Sequence, residues 1–105
     1  MDYEEAADYL KVLAHPTRLR LVAAVSKGER CVSNLQDLLE LKQANVSQHL
    51  AILGRTGILT SRRKGMRTCY RLADERVLPI LEMLEVDVDV MAGSCGMSEP
   101  LAEDN

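Results

Sequence analysis

Between Lys42 and Arg71 the chain carries seven lysines and arginines (Lys42, Arg55, Arg62, Arg63, Lys64, Arg67 and Arg71) and no aspartate or glutamate. The whole chain has 13 basic and 16 acidic residues, so everything outside this stretch sets six basic residues against all sixteen acidic ones. Such a block is tolerated when an anionic partner offsets its self-repulsion, and a phosphate backbone is the obvious partner. A second kind of chemistry lies at its start. Gln43, Asn45, Ser47 and Gln48 are amide or small hydroxyl side chains, which hydrogen-bond to base edges, whereas a merely solvated helix carries Glu and Lys there. The third kind is thiol chemistry, from Cys31, Cys69 and Cys95. Cys31 follows Arg30 near an expected helix start, a setting suited to a reactive thiol.

Periodicity says which elements must position these groups. Val46, Leu50 and Leu53 fall at i, i+4 and i+7, the buried stripe of a helix whose other faces present the amide residues. Gly57 ends that helix. Ile58–Arg63 and Met66–Leu72 are β-rich runs around Lys64-Gly65, which reads as a hairpin turn. Upstream, Tyr3, Ala6, Ala7, Leu10, Leu13 and Ala14 mark a first helix, and Pro16 suits the first turn of a second that ends near Gly28. Ser33-Asn34-Leu35-Gln36 has the form of a capping box, which predicts a third helix from Ser33. Only Leu41 and Lys42 separate it from the amide-faced helix, the tight junction of a helix-turn-helix. A last helix, capped by Asp74, takes Val77, Leu78, Leu81, Leu84, Val88 and Met91. The expected fold is mainly α with a small β-hairpin, a winged helix-turn-helix of about five helices and a two-stranded wing. It occupies residues 1–91, and residues 92–105 form a flexible acidic tail.

Composition agrees with this and excludes other classes. Hydrophobic residues make up 47% of the chain, yet there is no Phe or Trp and only three Tyr, so the core is aliphatic. A core so light in large side chains favours dimerisation. No apolar run approaches the ~18 residues that span a membrane, and no signal peptide opens the chain, which reads as a cytoplasmic protein. No nucleophile–base constellation or Gly-rich phosphate loop suggests an enzyme.

Several motifs resemble the ArsR/SmtB family of bacterial winged-helix repressors. They are Leu13-Ala14-His15-Pro16-Thr17-Arg18-Leu19, then Ser47-Gln48-His49-Leu50 with Leu53 and Gly57-Ile58-Leu59, then Arg63-Lys64-Gly65 through Tyr70-Arg71-Leu72. The resemblance covers roughly residues 5–90. It implies a homodimer, joined by its first and last helices, that holds double-stranded operator DNA until an inducer releases it. DNA contact then falls to Lys42, Gln43, Asn45, Ser47, Gln48, His49, Arg62, Arg63, Lys64 and Arg67, although His49 also reads as a packing residue.

The inducer is expected to be thiol-reactive or a soft metal or metalloid ion, bound or reacting at the cysteines, with no cofactor certain. The family's arsenite motif resembles Cys-Val-Cys-Asp-Leu, and here Cys31-Val32-Ser33-Asn34-Leu35 keeps one thiol of it. The zinc variant places Asp/His pairs on the last helix, where this chain has no His and Arg76 stands instead. A Cys31–Cys95 pair, closed by a disulfide, a persulfide bridge or an ion, is the sharper reading. The plainer one makes Cys31 a small core residue and gives Cys95 no role. Cys69, alternating in the hairpin, reads as a bystander. Alternatives are the same repressor with a redox or persulfide switch or no ligand, and a protein-binding antitoxin or adaptor.

Overall fold

A computed structural model of the chain describes residues 1–86. Its elements are α1 (Tyr3–Leu13), α2 (Pro16–Val25), β1 (Arg30–Cys31), α3 (Val32–Leu39), α4 (Gln43–Arg55), β2 (Leu59–Lys64), β3 (Arg67–Leu72) and α5 (Val77–Leu84). Five helices surround a small antiparallel sheet in which β3 lies between β1 and β2. The sheet has three strands where two were expected. The third is the two-residue β1, which pairs Arg30 with Tyr70 and Cys31 with Cys69.

That pairing also moves the start of the third helix. Once Cys31 is fixed in the sheet, the chain turns into α3 immediately, and Cys31 itself occupies the N-cap without a side-chain cap bond. Ser33 therefore sits inside the first turn, and the predicted capping box is not formed there. A capping box does form at α1: the Asp2 carboxylate accepts from the Glu5 amide (2.8 Å), and the Glu5 carboxylate accepts from the Asp2 amide (2.9 Å).

The helix-turn-helix junction is closed by backbone geometry. Glu40 adopts a left-handed conformation (φ 55°), and the Leu41 amide donates back to the Gln36 carbonyl at 3.1 Å. At the far end of α4, Gly57 takes φ 82°, and the Ile58 amide reaches the Leu53 carbonyl at 3.1 Å. The hairpin turn is Gly65-Met66, one residue later than expected, because Lys64 pairs with Arg67. Gly65 has φ 62° while Met66 stays at negative φ, which is the pattern of a turn with glycine at its first central position.

The core is aliphatic, as composition requires. Leu21 through Val25 of α2 are buried without a break, and Leu35, Leu39, Val46, Leu50, Leu53, Ile58, Leu59, Val77 and Leu81 close around them. Each buried Val, Leu or Ile among them contributes roughly 1.5–3 kcal/mol through burial. The stripe Val46, Leu50 and Leu53 has no solvent exposure, which fixes the rotation of α4 about its axis. Asp74 lies two residues ahead of the α5 cap position, its carboxylate accepting from the Arg76 amide at 3.0 Å. Val88, Met91, the expected boundary at 91/92 and Cys95 lie outside the described residues.

Candidate nucleic-acid interface

With its apolar stripe turned inward, α4 exposes Gln43, Ala44, Asn45, Ser47 and Gln48, and Lys42 stands exposed just ahead of it. The wing brings further groups to the same side of the molecule. Gln43 and Ser47, one turn apart, share a cleft of about 350 Å³ with Cys31, Ser33, Met66 and Arg67. The cleft thus runs between the amide face of α4, the start of α3 and the tip of the hairpin.

The cations of β2 are arranged differently from a simple exposed row. Glu29, just before β1, accepts two hydrogen bonds from Arg62, from Nε and Nη2 at 3.0 Å each, and lies 3.5 Å from Lys64 Nζ. The Arg62 hydrogen bonds, aided by the charges of Lys64 and Arg62, hold the Glu29 carboxyl below the usual carboxylate range. Arg63 is exposed. Sequence reasoning misses Glu29, since nothing in Gly28-Glu29-Arg30 announces a partner 33 residues away.

His49 stands apart from the other candidates. It is half-buried on α4, and its ring centroid lies 4.5 Å from that of His15. His15 caps α2, its Nδ1 accepting from the Thr17 amide at 3.1 Å, which requires that nitrogen to be unprotonated. Burial, then the nearby His15 and Arg18, push the His49 pKa down. His49 therefore favours the neutral form in the fold. The stabilisation is fully present above the unfolded value of about 6.5 and fades as pH falls through the lower folded value. Thermal denaturation from pH 8 to pH 5 is expected to show a falling Tm, and His49→Gln is expected to flatten that fall.

The thiols are placed as follows. Cys31 is half-buried at the cleft, and Cys69 is buried at 2% exposure. The two are direct partners across β1 and β3. Burial first, then a hydrogen bond with Cys31, pushes the Cys69 thiol up to about 12. Among the described residues no three His, Cys, Asp or Glu side chains gather to hold a metal ion. A three-thiolate site for trivalent arsenic does not fit them. Arg76, standing where the zinc variant would place a ligand, chelates Asp74 at 2.8 and 2.9 Å and lies 5.6 Å from the Tyr9 ring centroid.

Comparison with known proteins gives the same architecture. Residues 15–61 match the family model described as bacterial regulatory protein, arsR family. The biofilm growth-associated repressor of Agrobacterium fabrum is 39% identical over 80 residues, covering 76% of this chain and 68% of that protein. The transcriptional repressor SmtB of Mycobacterium tuberculosis is 40% identical over 78 residues, covering 74% of this chain and 58% of that longer protein. The crystal structure of the transcriptional repressor BigR from Xylella fastidiosa superposes with a TM-score of 0.71 at 32% identity, over 80% of this chain and 89% of that one.

Proposed function

This chain belongs to the arsR family of bacterial regulatory proteins, and from that premise we propose that it is a homodimeric repressor that reads operator DNA with α4 and steadies the duplex with its wing. One observation carries the reading: the exposed amide face of α4 and the tip of a basic hairpin border one cleft. Gln43, Asn45, Ser47 and Gln48 supply hydrogen bonds to base edges. Lys42, Arg62, Arg63, Lys64 and Arg67 supply affinity for phosphate that is independent of sequence and falls with salt. His49, packed on His15, acts by holding α4 in place.

Exposed apolar side chains support the dimer. Tyr3 (94%) and Leu10 (56%) on α1, with Met83 (74%) and Leu84 (50%) on α5, leave hydrophobic surface on the two terminal helices. A pair joined there offers two reading helices to successive major grooves, about 34–36 Å apart. No described helix is long and apolar enough to cross a membrane. For release, a thiol-reactive inducer acting at Cys31 suits the described residues better than a resident ion.

The test begins with a duplex selected by the protein from a random-sequence pool. Mobility-shift titration of that duplex and a scrambled one, at several salt concentrations, is expected to give a steep salt slope for both and a clear preference for the selected site. Equal affinity for both duplexes would defeat the reading.

A further inference from the structure

Cys31, Cys69 and Arg62 stand on one rung of the sheet: Cys31 is the partner of Cys69 in β1–β3, and Cys69 is the partner of Arg62 in β3–β2. Facing residues of an antiparallel pair have Cα atoms about 4.5–5.5 Å apart, inside the roughly 4.4–6.8 Å span of disulfides. Cys31 also acts on the Cys69 thiol, adding to the rise that burial causes. The two thiols differ in access: Cys31 opens on the cleft beside Gln43 and Ser47, while Cys69 is shielded. An accessible thiol backed by a buried one, in register, is the arrangement of an attacking and a resolving sulfur.

From this geometry we infer that Cys31 and Cys69 form a reversible dithiol switch that, when oxidised, fastens the wing to the start of α3. The inference rests on the reading of α4 and the wing as the DNA-contacting surface. The oxidant is hydrogen peroxide. The Cys31 thiolate attacks one peroxide oxygen, the O–O bond breaks, hydroxide leaves, and Cys31 becomes a sulfenic acid. The Cys69 sulfur then displaces the sulfenic hydroxyl, the S–S bond forms, and the Cys69 proton departs with that hydroxyl as water. The proton first lost by Cys31 neutralises the hydroxide. Two thiols have given up two electrons, and one peroxide has become two waters.

The same rung explains how the bond reaches DNA. Glu29 lies two residues before Cys31 and holds Arg62, the partner of Cys69, together with Lys64. A covalent tie across β1 and β3 keeps the wing in this self-paired arrangement. Arg62 and Lys64 are then withheld from phosphate. In the reduced protein the wing is tied to β1 by strand pairing alone and can exchange Glu29 for the duplex.

The experiment uses the full-length protein, reduced and then treated with hydrogen peroxide. Intact mass with thiol alkylation and peptide mapping is expected to show a bond joining Cys31 to Cys69 within one chain, reversed by dithiothreitol. Closing this loop is expected to raise Tm by about 5–15 °C. Affinity for the selected duplex is expected to fall on the order of tenfold, as two phosphate-binding cations are withdrawn, and to recover on reduction. Cys31→Ser is expected to bind the duplex as the reduced protein does and to ignore peroxide. Cys69→Ala serves as the companion variant, and Cys95→Ser is expected to keep the full response. A map showing Cys31 joined to Cys95, an intermolecular bond, or no bond overturns the proposal, as does a Cys31–Cys69 bond with unchanged affinity. If the reduced protein shows no sequence preference, the repressor reading fails instead, and the mapped bond alone judges the thiol pair.

Discussion

Replacing Ser47 and Gln48 together by alanine is expected to abolish operator preference while leaving weak, salt-sensitive binding to any duplex. Both side chains are exposed on α4, whereas the neighbouring Val46 and Leu50 have no exposure, so the change touches the outer face of the helix and not the core. Alanine is also the best helix former, so circular dichroism and Tm are expected to stay level or rise slightly. A good bidentate base contact discriminates by about 1–3 kcal/mol. Removing one such contact from both halves of a dimer lowers the ratio of selected to scrambled affinity by about 30-fold or more. The phosphate contacts remain, so the salt slope is expected to change little. Preference that survives the double substitution would mean that another surface reads the bases.

That the exposed face of α4 is legible in the sequence follows from how the helix is held. Its three buried residues recur at helical spacing, and a stripe that regular determines which residues face outward. The wing is legible for a different reason: Gly65 marks a turn between two β-rich runs, whichever neighbour completes it. What stays hidden depends on pairing across distance. A two-residue strand such as β1 has no period of its own and exists because β3 is beside it. The start of α3 follows that strand and not the capping signal at Ser33, since sheet pairing has already fixed Cys31. The Glu29 clamp and the Cys31–Cys69 register are likewise products of β1. Alternation along one strand says nothing about what faces it from the next, so the pairing of Cys69 with Cys31 is hidden until β1 is in place. His15 as a cap is obscured because its ring nitrogen does the work usually given to Ser, Thr, Asp or Asn.

Glu29 changes what the wing cations are expected to do. Replacing Arg62, Arg63 and Lys64 by alanine is expected to weaken binding to selected and scrambled duplexes alike, by on the order of a hundredfold near ~0.15 M salt. The salt slope should become shallower by about 0.9 for each phosphate that is no longer neutralised. Part of the wild-type gain from Arg62 and Lys64 is offset, because each must leave a carboxylate that already holds it. Removing that competitor tests the point from the other side. Glu29→Gln is expected to bind both duplexes more tightly, by roughly three- to tenfold, with a steeper salt slope. Stability should change little, since Arg62 and Lys64 are both about half exposed and solvent-exposed pairs contribute little to folding. The two variants must move affinity in opposite directions while leaving the preference ratio untouched. If Glu29→Gln instead weakens binding, the carboxylate orients the wing for DNA and is not its rival. The Glu29 clamp would then belong to the bound state, and an oxidised rung that preserves it would favour binding.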